Sequence, residues 1–111
     1  MALKRVVLID TGNISSGSYT DVSYAPEVDL TLNKVYAVET TSGALSLLFA
    51  TFYLADEPFF APNASLKLFD PANSEPITFN LVHKNGTKLS MRITNSDTAT
   101  RRVLIHLVYE A

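Results

Sequence analysis

A chain of 111 residues, 47% hydrophobic and 18% charged, is long enough for one compact core and too apolar to remain disordered. Its net charge of −2 lacks the basic excess of a nucleic-acid binder. With no cysteine it can form neither a disulfide, a thiolate nucleophile nor a Cys-based metal site.

The first predicted strand is Lys4 to Ile9, and its apolar run Val6 to Ile9 is too short for a secretion signal. A polar loop from Thr11 to Ser18 follows, then a strand from Tyr19 to Tyr24 that Pro26 stops. From Val28 to Thr40, Val28, Leu30 and Leu32 alternate with Asp29, Thr31 and Asn33. A turn or bulge near Asn33-Lys34 then lets Val35, Tyr36 and Val38 continue the sheet. Residues 43–55 are ambiguous. Leu45, Leu47 and Leu48 suit a helix that Thr41 or Ser42 would cap, whereas Thr51, Phe52 and Tyr53 suit a strand. A buried strand fits the β-rich surroundings better, and the run is too short to span a membrane.

Asp56 to Asn63 reads as a loop in which Pro58 and Pro62 bracket Phe59 and Phe60. A stiff loop loses little entropy on binding and aromatic anchors dominate many interfaces, so this pair is a candidate protein interface. The alternative is that both rings plug the end of the core. Ile77, Phe79 and Leu81, then Leu89, Met91 and Ile93, alternate around Lys84-Asn85-Gly86-Thr87. Asn-Gly between alternating runs predicts a β-hairpin with a type I′ turn. After a turn at Asn95 to Thr98, a final strand from Arg101 to Tyr109 puts Val103, Ile105 and Leu107 on one face. Arg102, Leu104, His106 and Val108 lie on the other. That second face is half apolar, so a neighbouring subunit is expected to cover part of it. Arg101, Arg102, Leu104 and Val108 therefore join the candidate interface. The resulting expectation is one all-β domain over residues 1–111, an antiparallel β-sandwich of jelly-roll type.

Charge is uneven along the chain. Residues 1–83 hold four cations against nine acids, and residues 84–111 hold five cations against two acids. Such a split favours self-association or an acidic partner.

Asp10-Thr11-Gly12 after Val6-Val7-Leu8-Ile9 resembles the active-site strand of aspartic proteases, whose retroviral members pair two identical chains. That resemblance implies two carboxylates sharing one proton. The chain lacks the family's glycine-rich flap and its later hydrophobic-hydrophobic-glycine segment, so the triplet is read as a strand-ending turn. His83 and His106 have no companion ligands in sequence, and no nucleophile elbow, phosphate loop or dinucleotide fingerprint occurs. No catalytic, metal or cofactor residue is assigned. Tyr19, Tyr24 and Tyr36 are the residues from which a sugar-binding platform could be built.

The stretch SLLFATFYLADEPFFAPNASLKLFD and the closing ITNSDTATRRVLIHLVYEA resemble segments of small β proteins of tailed-phage virions. The resemblance implies a decoration (cement) protein on the capsid surface, a homo-oligomer and specifically a trimer. Its partner would be the major capsid protein or another virion protein, with no nucleic acid or membrane involved.

Overall fold

The computed structural model describes residues 4–41 and 45–110. They form nine strands: β1 Lys4–Ile14, β2 Tyr19–Tyr24, β3 Leu30–Glu39, β4 Leu48–Leu54, β5 Glu57–Pro58, β6 Ala64–Ser65, β7 Thr78–His83, β8 Leu89–Asn95 and β9 Arg101–Glu110. Two antiparallel sheets pack face to face as a β-sandwich. The first has the order β1-β9-β3-β7, and the second β2-β8-β4-β5 with β6 also paired to β4. The ambiguous apolar run is a strand, as its β-branched and aromatic residues favour, preceded by a 3-10 turn at Leu45–Leu47. Residues 42–44, including the alternative cap Ser42, lie outside the described residues.

The period-2 patterns explain the core. Val103, Ile105, Leu107 and Tyr109 of β9 meet Leu89, Met91 and Ile93 of β8 across the interior, all at 1% exposure or less. In β3 the register slips between Leu32 and Lys34 at the expected bulge, keeping Leu30 and Leu32 inward before it and Val35 and Ala37 inward after it. Val28, expected on that inner face, lies outside the strand and is exposed.

Two local expectations are corrected. Gly86 has φ +76°, but Asn85 does not have positive φ, and Thr87 N–H donates to Lys84 O at 3.0 Å. That is the pattern of a type II turn, not type I′. The strands it joins lie in different sheets, so β7 and β8 are not a hairpin. The turn is a corner held from outside, with Asn85 N–H donating to Asp29 and Gly86 N–H to Pro26 O. The tight two-residue hairpin is instead β4–β5, where Leu54 pairs with Glu57. Its central residues Ala55 and Asp56 both have positive φ, 52° and 67°, the I′ requirement met without glycine or asparagine.

Asp10-Thr11-Gly12 does not end a strand. The register of β1 against β9 shifts between Asp10 and Asn13, and Gly12 takes φ +69°, so the triplet is a bulge inside an eleven-residue strand.

Candidate functional site

The outward face of the first sheet follows from its register. Val6 lies opposite Val108, which lies opposite Lys34; Leu8 opposite His106, opposite Tyr36; Asp10 opposite Leu104, opposite Val38. Residues directly opposite share a face, so three rows build one surface. Its middle is apolar: Val6, Leu8, Leu104, Val108, Tyr36 and Val38, with His106 at the centre. Val6 is 59% and Leu8 56% exposed. Pro71 rims a shallow depression over Val6, Tyr36, Val38, His106 and Val108. A solvated sheet face normally alternates to polar residues, and a contiguous exposed apolar area marks an interaction surface. The Nδ1 atom of His106 is buried by these neighbours and has no hydrogen-bond partner. A buried polar atom left unsatisfied costs about 1–3 kcal/mol.

Ion pairs frame this face. Arg102 Nε donates to both Asp10 oxygens at 2.9 and 3.1 Å, and its Nη2 also pairs with that carboxylate. This pairing, with the Gly12 N–H bond, holds the Asp10 carboxyl down at about 2. An aspartate so engaged stays ionised and is not in the setting of a proton-sharing dyad. Arg101 donates to Asp97 at 3.0 Å and lies 3.9 Å from Glu39. Both arginines, read as interface residues, are thus committed within the chain. Strands from the two parts of the sequence interleave, so Arg92, Arg101 and Arg102 each meet an acid of the chain.

The outward face of the second sheet is polar. Arg92 grips Asp21 through two bonds of 2.9 and 3.1 Å and stacks 4.1 Å over the ring of Tyr19. The pairing lowers the Asp21 pKa and raises that of Arg92. Tyr53, Asp56, Lys88 and Ser90 complete an open cleft beside the pair. The expected tyrosine platform is not assembled. Tyr19 is on this face and Tyr36 on the opposite one, while Tyr24 turns inward against Tyr109, ring centroids 5.9 Å apart.

Phe59 and Phe60, the candidate interface pair, sit against the core cluster. Both rings are half-buried and pack with Phe52, Phe69 and Phe79, with centroid separations of 5.2–6.2 Å through the cluster. This is the packing that a plug at the end of the core would have. His83 is fully buried. Its Nε2 lies 2.6 Å from Thr87 O, which can only accept, so that nitrogen carries the proton and Nδ1 accepts from Tyr109 Oη at 2.8 Å. Among the described residues no three His, Asp or Glu side chains converge as a metal site.

Of the sequence candidates, Leu104 and Val108 lie on the apolar face, where Val6, Leu8, Tyr36, Val38 and His106 join them. Val6 and Leu8 could have been found from their alternation in β1. Tyr36 and Val38 required the exact position of the Asn33 bulge, which decides which residues turn outward.

No family model, no curated protein and no solved structure matches this chain.

Proposed function

We propose that the protein is a non-catalytic virion structural protein, a decoration module that stabilises a capsid by docking on neighbouring capsid subunits through the outer face of its first sheet. The observation that carries this reading is the apolar surface around His106, which a free monomer leaves in water. The jelly-roll expectation accords with it. The pairs β1·β9, β2·β8, β3·β7 and β4·β5 are those of one long eight-stranded hairpin wrapped into two sheets. Jelly rolls of that kind serve as capsid and lectin domains. The lectin role gives a second reading, a carbohydrate-recognition module, favoured by the Tyr53, Asp21 and Arg92 cleft on the opposite face.

Capsid and portal genes beside this one are the expected gene neighbourhood. Shells assembled from that capsid protein should co-sediment with the chain to saturation and release their contents at a higher temperature when it is bound. No binding to shells, with retention on an immobilised sugar array, would replace the first reading with the second.

A further inference from the structure

Each sheet of the sandwich ends in edge strands, and three of the four edges are blunted. The β7 backbone is interrupted at Asn80, with φ +51°. The β5 strand has two residues and includes Pro58. The β2 strand is six residues long and presents Asp21 and Ser23 outward. These are recognised devices against edge pairing. By contrast, β1 keeps an unbroken register from Lys4 to Asp10 before its bulge and, among the described residues, pairs only with β9 and carries the most exposed large apolar side chain, Val6.

We propose that this edge binds a second copy of itself, β1 against β1 antiparallel about a two-fold axis at Val7. Directly opposite residues must share a face, so only registers that pair like-facing residues are open. Centring on Val6 puts Lys4 opposite Leu8, and centring on Leu8 puts Val6 opposite Asp10; both leave the outer-face charges of β1 without an opposite charge across the pair. Centring on Val7 puts Lys4 opposite Asp10 and Val6 opposite Leu8, each twice by symmetry. Lys4 makes no ion pair among the described residues, and in the dimer it reaches the Asp10 carboxylate that Arg102 already holds. On the inner side the stem of Arg5 covers half-buried Ile9 of the other copy. The two first sheets become one sheet of eight strands, and the apolar outer face runs across both copies without a break. A two-fold of this kind stands in place of the trimer expected from the phage resemblance.

Light scattering on the purified chain at about 100 μM should give a dimer, and Leu8→Lys a folded monomer whose thermal midpoint matches that of the wild type diluted to the monomer. Cross-linking reads the register, because the chain contains no cysteine. Val6→Cys mixed with Leu8→Cys should oxidise mainly to the mixed disulfide, since paired Cβ atoms lie about 4.5–5.5 Å apart. A monomeric wild-type chain, a dimer that survives Leu8→Lys, or mixed and like-with-like disulfides in equal yield would each overturn the proposal. No capsid enters these measurements, so their failure is separate from failure of the virion reading.

Discussion

The two sheets bury similar inner faces and expose dissimilar outer ones. Outside the second sheet, Arg92, Asp21 and Tyr19 satisfy one another and water can solvate what remains. Outside the first, Val6, Leu8, Tyr36, Val38, Leu104 and Val108 surround a histidine nitrogen with no partner. Folding requires only the inner faces, since a sandwich is stable with a polar exterior. The apolar exterior of one sheet therefore answers to a demand other than folding.

The contrast between the two outer faces fails if the apolar residues are misassigned between core and surface. Phe59→Ser with Phe60→Ser should cost roughly 4 kcal/mol or more in chemical denaturation, because the rings close a five-phenylalanine cluster. A stable, folded double variant would return the pair to the surface. Within β9 the contrast is between adjacent residues. Leu107→Ala should cost about 2–4 kcal/mol, whereas Val108→Ala on the outer face should cost less than about 1 kcal/mol. Equal losses would mean that the outer face is structural.

A smaller effect concerns the ion pairs that frame the faces. The carboxyls of Asp10 and Asp21 are depressed in the folded chain, first by the bonds from Arg102 and Arg92. A depressed folded pKa gives stability that is present above the unfolded value near 4 and lost as pH falls through the folded one. For Asp10 that window runs from about 4 down to about 2. Denaturation midpoints should fall across it, and less steeply in Asp10→Asn, which should also dock normally. The smallest effect is at the β4–β5 turn. Ala55→Gly should gain about 0.5–1 kcal/mol by relieving a left-handed backbone at a non-glycine residue. A loss there would mean that the turn is not type I′.

Period-2 alternation made the inner faces of β3, β8 and β9 readable in advance, because burial acts on every second residue. Strand pairing was less accessible. Asn85-Gly86 satisfies a local rule for reversal, but whether the chain reverses within a sheet or crosses to the other depends on β2, β3 and β4, which lie far away in sequence. The true I′ turn at Ala55-Asp56 carried no glycine or asparagine to mark it. The apolar outer face was half legible. Leu104 and Val108 stood out in β9, but their neighbours come from β1 and β3, and only pairing brings these strands together.

The outer face of the first sheet is the proposed docking surface. Binding to capsid shells by Val38→Glu with Val108→Glu, set beside Tyr19→Glu with Thr94→Glu on the opposite face, tests it directly. All four residues point outward, so both variants should fold. The first should lose binding by at least about a hundredfold, as expected when charges are buried in an apolar contact, while the second binds like the wild type. Undiminished binding by the first variant, or loss confined to the second, would contradict the account.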